Sequence, residues 1–435
     1  MPDFSLLYGA MRYSCYSDYY SRLEKDSILP EGFKTACTSL EFIPAEKPDA
    51  GKQKMNLALI RLDNPTDSFA GVFTKNKFPG WPVVIGRRFL DRQEISGVLV
   101  NNRVANVGAR GGMEKSERLV KELGKIDSSG THLYFPSSTG VIGWGLPAEK
   151  MEKQLPELLG NLEQSSLLSF AEAIMTTDAW PKVRSWNGGN GRITAAAKGA
   201  GMIEPDMATM LSFFLTDMAV PRENARKILK EVVNETFNRI SVDGETSTSD
   251  TVLLFASGTK EYPGDRIFKD ALMETALKLS EDIVRNGEGT SHVFQVEISG
   301  AESTEDAVYI AREIVNAPLI KTAIRGNDPN VGRFLQALGS ACSKRCVELQ
   351  MNKVTLKIGK EYVYKNGAFR IDSSVEKSLS SYFKNCELPV PGSKWPAHEK
   401  KIKIEINMGS GAFYAAVKGS DLSEEYIRIN AEYRS

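Results

Sequence analysis

The sequence predicts a mixed α+β fold in which two stacked β-sheets are covered by helices. Two patterns carry this expectation. Short apolar runs of strand length recur at residues 56–62, 70–76, 98–100, 251–256, 293–298, 354–358 and 402–406. Between them lie stretches with helical spacing. In residues 222–237, Ala225, Ile228, Leu229, Val232, Val233 and Phe237 share one face. The length, 435 residues, exceeds one small core and points to two or three domains.

Taken in order, residues 56–62 form a strand that ends at the turn Asp63-Asn64-Pro65. The apolar run Val83-Val84-Ile85 reads as a further buried strand, like residues 98–100. Leu119, Val120 and Leu123 sit at helical spacing in residues 114–123, with Gly124 as a stop. Residues 167–175 read as a helix leading into Thr176-Thr177-Asp178, and residues 186–192 as a hairpin turn. That turn lacks the glycine spacing of a phosphate loop. Residues 267–285 form a long helix, and Ser303 with Asp306 forms a capping box for the helix ending near Val315. The tail, residues 426–435, is apolar enough to be tied down rather than frayed.

Bulk composition excludes several classes. Hydrophobic content of 41% and charged content of 25% are those of a soluble globular protein. Lys+Arg and Asp+Glu both number 55, so no general field attracts nucleic acid or a membrane surface. No run approaches the roughly 20 apolar residues of a membrane span. Five scattered cysteines and no legible leader fit a reducing, cytoplasmic setting. Cys342 and Cys346 lie one helical turn apart, without the partners of a zinc site. Only three histidines, His132, His292 and His398, occur, which favours a chemistry that needs none.

The central stretch is Lys198-Gly199-Ala200-Gly201-Met202-Ile203-Glu204-Pro205-Asp206-Met207-Ala208-Thr209-Met210-Leu211. Glycines that admit unusual backbone angles lead to a proline and then to a small residue before a threonine. A threonine hydroxyl needs a base. Cleavage of the Ala208–Thr209 bond would supply one, because a free α-amine has a pKa of about 7.7–8.0. The same residues also read as a plain buried strand start with Thr209 as packing. A Ser/Thr/Gly turn after a strand, Ser137-Ser138-Thr139-Gly140, can aim an N–H and a hydroxyl at one point, as an oxyanion hole requires.

The stretch resembles the signature of the ornithine acetyltransferase family, the bifunctional glutamate N-acetyltransferase/amino-acid acetyltransferases. The resemblance begins at Leu29-Pro30-Glu31-Gly32-Phe33-Lys34 and runs to Ser435. It implies an αββα sandwich of the N-terminal-nucleophile type. Self-cleavage would split the chain into 29–208 and 209–435, with residues 1–28 as an extension. Thr209 would be the nucleophile, and Thr139 and Gly140 the oxyanion hole. Thr177 (or Thr176), Lys198, Glu288, Asn430 and Ser435 would bind substrate, Ser435 standing where the family usually has Thr. Asp250 is a candidate support residue.

The resemblance further implies ping-pong transfer of acetyl from N2-acetylornithine to glutamate, in arginine biosynthesis. No cofactor or metal is called for. Acetyl-CoA stays open as a second donor. The two fragments would associate, two of each, as a heterotetramer. A self-processing aminopeptidase or amidase, and a relative that never processes, are the competing readings. The family's Asn-Ser-Gly-Asn-Ala-Asn becomes Asn101-Asn102-Arg103-Val104-Ala105-Asn106, and Val331 replaces a common Trp. These departures bear on substrate preference.

Overall fold

The computed structural model describes residues 11–127, 133–189, 191–204, 210–388 and 393–432. They form two compact units. One comprises the described residues of Tyr20–Asn238 and Glu245–Ile283. The other comprises Arg239–Gly244, Val284–Glu432 and the described residues up to Tyr19.

The first unit is a sandwich. Its four-stranded sheet has the order β1 (Phe33–Phe42), β2 (Gln53–Thr66), β4 (Ile95–Asn101), β5 (Tyr134–Ser138). Its five-stranded sheet has the order β3 (Phe69–Phe73), β10 (Thr251–Lys260), β8 (Leu211–Met218), β7 (Gly191–Lys198), β6 (Lys182–Gly188). Alternation along each strand sorts side chains between two faces. On β5, Phe135 faces the second sheet and meets Phe69 and Phe255 at ring-centroid distances of 5.8 and 6.1 Å. Tyr134 faces the other way, into a core of Leu57, Leu59 and Leu99 closed by Leu119 and Leu123 of α3 (Gly112–Ile126) and Leu155 and Leu158 of α4 (Ala148–Gly160). Against the five-stranded sheet, Phe213 meets Phe170 of α5 (Leu168–Ala173), and Phe214 meets Phe237 just past α6 (Arg222–Glu235). Two stacked sheets with helical cover are what the sequence predicts. β7 and β8, on either side of residues 205–209, run antiparallel, with Lys198 opposite Leu211.

Three local expectations are corrected. Residues 83–85 are not a strand but the middle of α2 (Trp81–Phe89), which starts after an extended Gly80 with Pro82 in its first turn. Three apolar residues are too few to separate the two periods, and burial of Val83, Ile85 and Phe89 selects the helix. Asp63-Asn64-Pro65 does not end β2. The strand continues to Thr66, and its pairing with β4 shifts register between Arg61 and Thr66, where an irregularity accommodates the proline. Gly124 is buried inside α3 rather than stopping it.

The second unit holds a third sheet, which the sequence shows only as separate strands. Its order is β14 (Ala368–Phe369), β13 (Glu361–Lys365), β12 (Thr355–Ile358), β15 (Ile402–Asn407), β11 (Val293–Ala301), β16 (Phe413–Ser420), β9 (Ile240–Ser241). Phe294, Val296 and Ile298 of β11 point into one core with α8 (Thr304–Asn316), α9 (Pro318–Arg325) and α10 (Val331–Arg345). Ser303 caps α8 by accepting from the Asp306 amide, as predicted. Cys342 lies in α10 and Cys346 ends it in a left-handed conformation; all five cysteines are free thiols. The helices α1 (Tyr16–Asp26), α7 (Asp265–Arg285), α11 (Ser373–Asn385) and α12 (Glu424–Ala431) complete the described α-helices.

Candidate active site

In the sandwich unit, three sequence-distant segments are joined by hydrogen bonds. The first is the turn after β5. The Thr139 N–H donates to the Asn101 carbonyl at 3.0 Å, and Val141 N–H donates to the Arg103 carbonyl at 2.9 Å. Gly140 between them has φ +129, and a Cβ there would lie 2.2 Å from the Arg103 carbonyl carbon. Only glycine fits. Among the described residues, the Thr139 hydroxyl and the Gly140 N–H close no hydrogen bond. The departure at position 103 leaves this turn intact, because Arg103 itself takes a left-handed φ of +68.

Asn102 carries the link onward. Its side-chain amide donates to the carbonyls of Ala173 at 3.1 Å and Met175 at 3.0 Å, and its side-chain oxygen accepts from the Asn56 amide at 2.8 Å. This fixes the entry to Thr176 and Thr177, both half-buried. Asp178 then ties that turn to the next segment. One carboxylate oxygen accepts from the Thr176 amide at 3.0 Å, and the other accepts from the Gly199 amide at 2.7 Å and from Lys182 Nζ. Gly199 follows Lys198 and has φ +151. Asp178, Lys182 and Lys198 are 8%, 0% and 7% exposed. Burial opposes the charge on Asp178, but Lys182 and Lys198 hold its carboxyl well below the usual range. Burial pulls the Lys182 ammonium below its ordinary value, against the attraction of Asp178.

Asp250 is also buried here, immediately before β10. Burial pushes its carboxyl well up, against the Met210 amide, the Thr74 hydroxyl and the Lys198 charge. Neither of its oxygens closes a hydrogen bond of full geometry among the described residues. Met210 accepts from the Thr251 amide at 3.0 Å, which fixes the start of β8. Ala208, Thr209 and Ser435 lie outside the described residues.

Glu288 and Asn430 belong to the other unit. The Asn430 side-chain amide donates to Glu288 at 2.7 Å. The start of α12 seats on Gly289: Ser423 donates to the Gly289 carbonyl at 2.7 Å and caps the Tyr426 amide, and Tyr426 Oη lies 3.3 Å from Asp243. The described tail residues are thus held by polar contacts rather than by the apolar burial that the sequence suggests; no residue of α12 is buried. Ser291, His292 and Asp421 also meet in this unit, but hydroxyl and carboxylate both face His292 Nδ1, and Nε2 faces Asn327. A catalytic triad needs them on opposite ring nitrogens, so this cluster is a buried tie.

The sequence reading gave no role to Asn102, Asp178 or Lys182. The spacing of Asp178 and Lys182, four apart, is a signal that sequence reading could have used. Among the described residues, no group of three or more His, Cys, Asp and Glu is placed to hold a metal, and no helix is long and apolar enough to cross a membrane.

Comparison with known proteins agrees with the motif. The chain is 37% identical over 417 residues to the arginine biosynthesis bifunctional protein ArgJ of Dehalococcoides mccartyi, covering 93% of this chain and 96% of the relative. It is 33% identical over 383 residues to arginine biosynthesis bifunctional protein ArgJ 2 of Clostridium acetobutylicum, covering 88% and 94%. A solved ArgJ from Bacillus halodurans, 33% identical, matches 52% of this chain and 100% of its own with a TM-score of 0.46. The ArgJ family model matches residues 45–435. The chain belongs to the ArgJ family.

Proposed function

We propose that this chain is an acetyltransferase of arginine biosynthesis that moves acetyl from N2-acetylornithine to glutamate through an acetyl-Thr209 intermediate. Membership of the ArgJ family over residues 45–435 carries the reading. The chain first cuts itself between Ala208 and Thr209, which gives Thr209 an α-amine. That amine takes the Thr209 hydroxyl proton as Oγ attacks the acetyl carbonyl. The Thr139 hydroxyl and Gly140 N–H stabilise the oxyanion. Collapse returns the proton to the departing ornithine amine. Glutamate then enters, its amine attacks the acetyl ester, and Thr209 Oγ leaves with the proton.

Lys198 attracts the substrate α-carboxylate. Glu288 and Asn430 hold the amino-acid side chain, with Thr177 and Ser435 completing the contacts. The reaction needs no bound cofactor; acetyl-CoA would enter as a second acetyl donor. The fragments 29–208 and 209–435 stay associated, two of each, and work in the cytoplasm. The Thr139 hydroxyl and Gly140 N–H, which close no hydrogen bond among the described residues, support the oxyanion role. The test is to supply acetylornithine and glutamate and to follow acetylglutamate against free acetate. Acetylglutamate as the main product supports transfer, and acetate alone replaces it with a hydrolase.

A further inference from the structure

Lys182 is a fully buried lysine that the proposed reaction does not use. Its ammonium donates to Asp178, whose remaining capacity goes to the backbone amides of Thr176 and Gly199. Lys198, almost as buried, closes no hydrogen bond or ion pair among the described residues. The nearby Arg184 and Asp282 satisfy each other through two bonds of 2.6 and 2.7 Å. Asp250, whose side-chain oxygens close no hydrogen bond among the described residues, is bonded to neither lysine. Among the described residues, the bonded cluster therefore sets one carboxylate, Asp178, against two lysines: Lys182 holds it by a hydrogen bond, and Lys198 acts on it through its charge alone. A buried cation that closes no bond is costly unless a ligand supplies the anion.

We propose that Lys182 determines specificity by position: by occupying Asp178, it keeps the Lys198 ammonium free for the α-carboxylate of an amino-acid substrate. Without Lys182, Asp178 would turn to Lys198, and the charge that recognises substrate would be cancelled inside the protein. The inference rests on the acetyltransferase reading and adds to it the reason that the site demands a free carboxylate.

The experiment compares KM for N2-acetylornithine and for its α-carboxamide, which lacks the anion. Wild type is expected to prefer the acid by about tenfold or more, the worth of a charged hydrogen bond. Lys182→Met is expected to raise KM for the acid by about tenfold, to lower kcat less, and to bring the acid-to-amide ratio near one. The double variant Lys182→Met/Asp178→Asn removes both charges, frees Lys198 again and is expected to restore the preference. A merely structural Lys182 would make the double variant worse than the single one. Folded Lys182→Met with an unchanged ratio, or a double variant with no recovered preference, overturns the proposal. If Lys182→Met does not fold, the double variant decides it alone. Wild type that never acetylates Thr209 overturns the acetyltransferase reading itself, and the proposal with it. A flat ratio with wild-type acetyl transfer intact overturns the proposal alone.

Discussion

The Asn430 side chain donates to the Glu288 carboxylate at 2.7 Å, joining residues 142 positions apart. Glu288 is nearly buried and lies on a turn whose Gly289 is pressed against Ser423 and the Tyr426 amide. The bond aims the carboxylate. A hydrogen bond to a charged group contributes about 1.5–3 kcal/mol. Asn430→Ala is therefore expected to raise KM for acetylornithine about tenfold or more. Glu288→Gln, which removes the charge proposed to meet the ornithine ammonium, is expected to do more. Steady-state kinetics on the donor half-reaction measure both.

The close approach of Gly140 to Arg103 makes opposite predictions for the two positions. Gly140→Ala places a methyl 2.2 Å from backbone and is expected to cost more than ~2 kcal/mol and most of the activity. Arg103→Gly relieves a left-handed non-glycine residue, so stability is expected within about 1 kcal/mol of wild type. Thermal melts and initial rates test the pair.

Asn102 spends its side-chain amide on the Ala173 and Met175 carbonyls. Asn102→Ala leaves two backbone groups, the Met175 carbonyl and the Asn56 N–H, short of a partner, each worth roughly 1 kcal/mol or more, while the Ala173 carbonyl keeps the Asn56 side-chain amide at 3.1 Å. Expected results are a clear fall in melting temperature and a loss of activity larger than the stability change explains, because the Thr176-Thr177 turn shifts. Lowering the assay temperature, which refolds the variant, is expected to leave that activity defect in place.

His398 gives a pH dependence. Burial holds its ring below the ordinary histidine pKa. The geometry agrees: Nε2 lies 3.0 Å from the Glu387 carbonyl, and Nδ1 accepts the Lys400 amide at 3.2 Å. A second ring proton would face that N–H. The unfolded chain thus binds more protons as pH falls through about 6.5, so this site lowers stability in acid. His398→Gln is expected to flatten the fall of melting temperature below that pH; an unchanged slope would remove His398 as a source.

How legible the protein is in its sequence differs by feature. Residues 402–406 read correctly because the strand alternates and buries one face, and residues 293–298 because Phe294, Val296 and Ile298 recur at strand spacing, although Val293 and Gln295 on the other face are buried too. Val83-Val84-Ile85 did not, since three residues fit either period and packing decides. Pro65 was read as an end because the pairing irregularity that absorbs it depends on a neighbouring strand. Thr139, Gly140, Lys198, Glu288 and Asn430 were named as candidates through motif resemblance alone. Asn102, Asp178 and Lys182 were not, because their importance lies in bonds between segments. Nothing in the local order of residues 101–102 points to Ala173 and Met175.

The central claim is that Thr209 becomes a chain terminus and carries the acetyl group. Intact-mass spectrometry of the purified protein, incubated with N2-acetylornithine and no acceptor, measures both at once. The account predicts two fragments divided between Ala208 and Thr209, with one acetyl group on the second, and an uncut, unacetylated chain for Thr209→Ala. A single unbroken chain that still transfers acetyl to glutamate would contradict it.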